Sequence, residues 1–325
     1  MTSGPERHAA NDDAKAQAMR LFVFGCGYSA SRLVDRLGTQ RVVGATTRSP
    51  EKAASLAAHG LTPFVFDGTH PGEGVDAGLH RATHLLVSVP PGHEAPEGAS
   101  VGGANAHPGD PVLRWYRDEI VHGAPALEWI GYLSTVGVYG DHEGAQVDET
   151  AELRPVSARS TARVAAEEAW AGVARERGVP LAVLRLSGIY GPGRNAFVNL
   201  REGKARRIVK PGQIFNRIHV DDIAGAAALL AERRLGGVFN ISDDEPAPPQ
   251  GVVEHAACLA GLPVPPATPF EDAELSPMGR SFWGENKHVG NAAIKAAGYR
   301  FRYPTYREGL EALKGEAVLT PRSGR

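Results

Sequence analysis

The strongest constraint on this chain is an apolar run that breaks into glycine. Leu21-Phe22-Val23-Phe24 carries no polar side chain, the mark of a strand buried on both faces. It runs straight into Gly25-Cys26-Gly27-Tyr28-Ser29-Ala30, and a helical stripe of Ala30, Leu33, Val34 and Leu37 follows, closed by Gly38. Gly25 permits a tight turn, Gly27 lets the backbone approach a pyrophosphate, and Ala30 is small enough for the helix to pack on the strand. Unpaired amides at the positive end of the helix dipole favour an anion there. Residues Gly25, Cys26, Gly27, Tyr28, Ser29 and Ala30 are therefore expected to cradle the diphosphate of a dinucleotide.

The pattern repeats downstream. Arg41 to Thr47 reads as a second strand, with Ser49 and Pro50 as cap and first residue of a helix. Phe64 to Phe66 is a third strand, ending at Asp67-Gly68, and Leu85 to Val89 a fourth, stopped by Pro90-Pro91. Trp129 to Leu133 runs into Ser134-Thr135, and Leu181 to Leu186 and Gly237 to Ile241 complete the set. Helices are expected after Asp110-Pro111, over about 157–177, and after the capping box Thr305-Tyr306-Arg307-Glu308. Strands alternating with helical patterns need right-handed crossovers. The expected fold class is α/β: a doubly wound parallel Rossmann sheet with a smaller C-terminal substrate lobe. Residues 1–18 read as a disordered extension and 19–190 as the NAD(P)-binding domain. Residues 191–325 read as a mixed segment, rejoining the sheet at about 237–242 and forming the lobe. The stretch 92–109, rich in Gly, Ala and Pro, is expected to be a long surface loop.

Composition narrows the function classes. The chain has 325 residues and a formal net charge of −2, so it lacks the basic stripe that nucleic acid requires. No apolar run approaches the roughly 20 residues of a membrane span. Cys26 and Cys258 stand far apart with no metal-ligand spacing, so neither a disulfide framework nor a metal site is expected, which suits the cytoplasm. The expected partner is a small-molecule substrate, with a homodimer left open. The second strand ends in Thr46-Thr47-Arg48 without a carboxylate to accept a ribose hydroxyl, so Thr47 and Arg48 favour a 2′-phosphate, and NADP over NAD.

Further along, the sequence resembles the extended short-chain dehydrogenase/reductase superfamily, in its atypical NAD(P)-dependent epimerase/dehydratase, sugar-nucleotide-epimerase-like branch. The markers are the glycine turn, Asp67-Gly68, Leu133-Ser134-Thr135-Val136-Gly137-Val138-Tyr139-Gly140, Arg185 through Arg194, and Arg217-Ile218-His219-Val220-Asp221-Asp222-Ile223-Ala224. The similarity runs from about Met19 to Leu313. It implies that Asp67, beside Gly68, faces the adenine amine, that Ser88, Val89 and Pro90 line the diphosphate and ribose, and that Ser187 flanks the nicotinamide. It implies that Thr135, with Ser134 beside it, hydrogen-bonds the reacting oxygen, and that Tyr139, Arg194, Asn195 and His219 lie toward substrate.

One departure from the family matters. Active members carry Tyr-x-x-x-Lys on one helical face, the lysine lowering the phenol's pKa so that it can exchange a proton. Here Arg163 stands at the lysine and Arg159 at the tyrosine. Arginine replaces lysine as a cation, but it offers only donors and does not act as a base. Tyr139, Tyr190, His219 and Asp141 are the candidates to take over the relay. Arg159 and Arg163 read either as holders of an anionic substrate or as a surface face answering Glu167 and Glu168. The expected function is an NAD(P)-dependent oxidoreductase or epimerase acting on a sugar nucleotide or other polar small molecule. The alternative is a non-catalytic NADP-binding sensor or assembly protein. Elsewhere Asp243-Asp244-Glu245 and Glu285-Asn286-Lys287-His288 read as solvated turns, and Asp221-Asp222 as a helix start.

Overall fold

The computed structural model describes residues 19–92 and 109–317; the extension at 1–18 and all but the ends of the 92–109 loop lie outside the described residues. Seven strands form one parallel sheet: β1 (Leu21–Phe24), β2 (Val42–Thr47), β3 (Pro63–Val65), β4 (His84–Val87), β5 (Trp129–Thr135), β6 (Leu181–Leu186) and β7 (Gly237–Ile241). Their order is β3-β2-β1-β4-β5-β6-β7, so the chain starts in the middle, winds to one edge and returns to build the other. The reversal falls between β1 and β4, and crevices at such a switch point are where open α/β sheets hold ligands. The glycine turn leaves β1 at that point.

The elements follow from their residues. All four residues of β1 are fully buried, as a strand covered on both faces requires. The helix α1 (Tyr28–Leu37) buries Ala30, Leu33, Val34 and Leu37, the stripe read from the sequence. At α2 (Pro50–Ala58) the Ser49 hydroxyl accepts from the Lys52 amide. The helix α3 (Val75–Arg81) between β3 and β4 carries too few apolar residues to stand out in the sequence. Asp110 caps α4 (Pro111–Asp118) by accepting from the amides of Val112 and Leu113, and its second oxygen accepts from Trp170 Nε1 at 2.9 Å. Trp170 lies on α5 (Ala158–Arg177), so one buried carboxyl fixes two helices. Around them Phe22, Phe24, Phe66, Tyr116, Tyr132 and Trp170 form the centre of the core.

The chain divides into two compact units, each assembled from three separate segments. The first unit takes the chain up to Thr135, then Ala158–Arg185 and Ala224–Phe239; the second takes Val136–Ser157, Leu186–Ile223 and Asn240–Arg325. A helix α6 (Val220–Glu232) opens with Asp221 and Asp222 in its first turn. The second unit has its own core of Tyr190, Phe197, Ala247, Ala256, Tyr306 and Leu310. It contains short parallel pairs, Gly188–Tyr190 with Arg217–His219 and Gln146–Val147 with His288–Val289.

Two stretches read as solvated turns are not. Lys287 is buried, donating from Nζ to the Gly140 carbonyl at 2.7 Å and to Glu285 at 2.6 Å, while the Asn286 amide donates to Asp141. These bonds tie the segment to the 140–147 loop. Asp243 is also buried, at 1% exposure, whereas its neighbours Asp244 and Glu245 pair with Lys295 and Arg307. No group of three or more metal-ligating side chains occurs among the described residues.

Candidate dinucleotide cradle and catalytic residues

The glycine turn is held from two sides. Thr46 Oγ1 accepts from the Gly25 amide at 2.8 Å, and the Thr46 carbonyl accepts from the Cys26 amide at 2.8 Å. Gly25 has φ of +84°, and a Cβ there would lie 3.0 Å from Val89 Cγ2 and 3.1 Å from the Val89 nitrogen. Only glycine meets both demands. The turn thus brings together Gly25, Ser88 and Val89, residues 63 and 64 positions apart in the case of the latter two. Sequence reasoning read Thr47 and Arg48 at the end of β2 as ligands and missed that Thr46, fully buried, clamps the turn.

Gly27 behaves differently. Its φ of −90° suits any residue, yet a Cβ there would meet no heavy atom within 4 Å. No side chain caps α1, of which Gly27 is the N-cap. The opening above the turn is therefore clear of side chains at the position where an anion's approach needs it, and the turn fits a dinucleotide diphosphate. Tyr28 and Ser29 begin the helix and Ala30 is buried beneath it; Cys26 is buried and its thiol is raised by that burial, which leaves it inert. Thr47 is buried at the end of β2 and Arg48 is exposed beyond it. Asp67 is exposed, and Thr69, through its hydroxyl and amide at 2.6 and 2.8 Å, holds the carboxyl below the usual carboxylate range. Gly68 packs against α4, where a Cβ would lie 2.9 Å from Pro111 Cβ. Ser88 and Val89 are half-buried and Pro90 exposed.

At the end of β5 two adjacent hydroxyls part company. Thr135 is half-buried, whereas Ser134 is buried and donates to Glu167 at 2.5 Å. Glu167 in turn takes Arg185 Nη2 at 2.7 Å, a pair with both side chains under 9% exposed. The sequence offered Glu167 to Arg163 at helical spacing, but Arg163 is buried and donates to the Leu133 carbonyl at 2.7 Å and the Tyr132 hydroxyl at 3.1 Å. Arg159 is exposed at the start of α5, so the two arginines do not form one anion clamp or one solvated face. The signal for the Glu167–Arg185 pair was an arginine inside an otherwise apolar strand, which demands a buried acid.

The remaining candidates lie in the second unit. Ser187 is buried, and its hydroxyl has no partner among the described residues. Tyr139 is fully buried and donates to Asn240 Oδ1 at 2.7 Å; Asn240 also donates to the Gly290 carbonyl, so this pair is structural. His219 is buried, with Nδ1 accepting from the Asp221 amide at 3.1 Å and its ring 4.1 Å from that of Tyr303. Asp222 accepts from Tyr299 Oη and the amides of Arg302 and Tyr303, a latch for that loop. Asn195 caps a short helix by accepting from the Val198 amide, and Arg194 before it is exposed. Asp141 accepts from the amides of Glu143 and Asn286, and burial raises the Tyr190 phenol far above its ordinary value. The Tyr190 phenol, raised and not lowered, lacks what the missing tyrosine would supply.

Comparison with known proteins agrees with this geometry. Residues 104–242 match the model of the NAD dependent epimerase/dehydratase family. Protein YeeZ of Escherichia coli K12 is 31% identical over 204 residues, 61% of this chain and 67% of YeeZ. A 3-diazoavenalumate denitrifying reductase from a Streptomyces species is 31% identical over 140 residues, and that match spans only 39% of this chain and 45% of the relative. Among solved structures, a functionally unknown conserved protein from Silicibacter pomeroyi is 45% identical, with a TM-score of 0.78 over 93% of this chain and 100% of that one. The UDP-glucose 4-epimerase of Thermus thermophilus, solved with NAD, shares the fold at 21% identity and a TM-score of 0.65, over 92% of this chain and 99% of that one. No helix of the described residues is long and apolar enough to cross a membrane. The chain belongs to the NAD-dependent epimerase/dehydratase family, the extended branch of the short-chain dehydrogenases/reductases.

Proposed function

We propose that this protein is an NADP(H)-dependent oxidoreductase or epimerase/dehydratase acting on a polar small molecule of the sugar-nucleotide type. The observation that carries the reading is the open turn at Gly27, ahead of a helix that no side chain caps. When bound, the nicotinamide supplies hydride transfer. The amides at the start of α1 would hold the diphosphate, and Thr46 would keep the turn rigid beneath it. Arg48, exposed past β2 with no acid beside it, would pair with a 2′-phosphate. Thr135 would donate to the reacting oxygen from the end of β5.

A second reading follows from Arg159 and Arg163. With neither a tyrosine nor a lysine on α5, a reaction needing no proton at oxygen also suits this chain. Hydride replacing dinitrogen on a diazonium carbon is such a reaction: a C–H bond forms, a C–N bond breaks, and dinitrogen leaves with that bond's electrons. The similarity to a denitrifying reductase favours this class.

Calorimetric titration tests the cradle. Gly27→Val fits the backbone and its Cβ meets no heavy atom within 4 Å, so the variant should fold, yet NADPH affinity should fall by about 100-fold or more as the side chain fills the opening. NADPH should bind more tightly than NADH, and Arg48→Ala should close most of that gap. Unchanged affinity in Gly27→Val would end the reading. NADPH binding without turnover on any carbonyl, sugar-nucleotide or diazo probe would favour a sensor over an enzyme.

A further inference from the structure

Consecutive residues of α4, Arg114, Trp115 and Tyr116, all reach the turn that follows β3. Trp115 Nε1 donates to the Gly68 carbonyl at 3.0 Å, and Arg114 Nη1 donates to the same oxygen at 3.3 Å. The Tyr116 hydroxyl accepts from the Gly72 amide at 2.5 Å, so the turn is pinned at both ends. Gly68 itself, with φ of +89°, is wedged against Pro111. The backbone beneath Asp67, one residue earlier, is fixed in consequence.

Thr69 fixes the rest of the Asp67 side chain. Its hydroxyl and its amide both donate to Oδ1, while Oδ2 of this exposed carboxyl accepts no hydrogen bond among the described residues. Those two bonds favour the ionised form, which can only accept. A held carboxylate with one oxygen unused selects a ligand edge that donates. The Phe66 amide donates to the Thr47 carbonyl at 2.8 Å, so Asp67 emerges beside the end of β2. A dinucleotide laid from the glycine turn sets its adenosine ribose at the end of β2, and the base beyond it reaches the end of β3.

We propose that Trp115 and Thr69 are positioning residues that set the base preference of the site, adenine over hypoxanthine, by holding Asp67 with one oxygen toward the exocyclic amine. The proposal rests on the dinucleotide reading and deepens it by naming the side chains that choose the base. Adenine's amine donates to the carboxylate. Hypoxanthine sets a carbonyl oxygen there instead, and two facing acceptors leave the carboxylate unpaired.

The test is calorimetric titration of the full chain with NADPH and with its hypoxanthine analogue, reduced nicotinamide hypoxanthine dinucleotide phosphate. The parent should bind NADPH at least about tenfold more tightly, and Asp67→Ala should remove that gap. Trp115→Phe keeps a ring and loses the donor; Thr69→Val keeps the amide and loses the hydroxyl. Each should cut the ratio of the two affinities by about threefold or more, weakening NADPH and leaving the analogue unchanged. A role in folding alone would weaken both dinucleotides together and keep the ratio. The analogue binding the parent as tightly as NADPH, a gap surviving in Asp67→Ala, or an unchanged ratio in either positioning variant would overturn the proposal and leave the cradle standing. Binding of neither dinucleotide would end the dinucleotide reading itself, and this proposal with it.

Discussion

Each unit buries a carboxylate, and the two live in opposite circumstances. Glu167 in the first unit is 7% exposed and saturated, accepting from Ser134 and from Nε and Nη2 of Arg185. Asp243 in the second is 1% exposed; one oxygen accepts from the Glu245 amide at 3.2 Å, and the other has no partner among the described residues. Burial drives the Asp243 carboxyl up to about 8, with the pull of Arg217 and that amide bond too weak to offset it. At similar depth, the two carboxylates differ in their supply of donors.

The largest expected effect breaks the first of these arrangements. Arg185→Met leaves Glu167 buried without its cation, and thermal or denaturant unfolding should show a loss of about 3–5 kcal/mol. A loss under about 1 kcal/mol would mean that Glu167 finds other donors once the cation is gone, and the contrast with Asp243 would vanish.

The second prediction concerns pH. An acid whose folded pKa is raised holds its proton more tightly when folded. Its contribution to stability is therefore complete below the ordinary 3.8 and drains away as pH climbs toward about 8. Asp243→Asn cannot ionise, so it should flatten the slope of unfolding free energy between those values and be more stable than the parent at pH 8 by on the order of 2 kcal/mol. Hydrogen exchange at amides of 240–247 should report the same difference. Identical slopes in parent and variant would show that Asp243 is charged when folded. The smallest effect sharpens the comparison: Ser134→Ala removes one donor from Glu167 and leaves the arginine, so the cost should be about 1 kcal/mol. A cost equal to that of Arg185→Met would make the hydroxyl, not the cation, the essential partner.

Local signals were the legible ones. The buried run before Gly25, the stripe on α1, the Asp110 cap and the Thr305 capping box all act within a few residues, and each is found where the pattern places it. The Rossmann sheet followed from stringing such signals together. What escaped were partners distant in sequence. Nothing near Thr46 announces that its hydroxyl takes the Gly25 amide, 21 positions away. Glu167 has a plausible helical neighbour in Arg163 and chooses Arg185 on a strand. Asp243 sits in an acidic, proline-flanked run that resembles a wet turn, and only tertiary packing seals it. The site is legible in the same measure: the cradle is a local motif, whereas the company kept by Ser134, Tyr139 and Asn195 is set by the fold.

The division of the chain has a consequence for how the protein is made. The polypeptide passes from one unit to the other five times, and β7, the last strand of the sheet, ends at Ile241. While the ribosome is still short of that point, β6 is an unprotected sheet edge waiting for its neighbour. Neither unit can be released as a contiguous fragment by a protease or a stop codon, and a nascent chain stalled between 187 and 236 would be a natural client for chaperones.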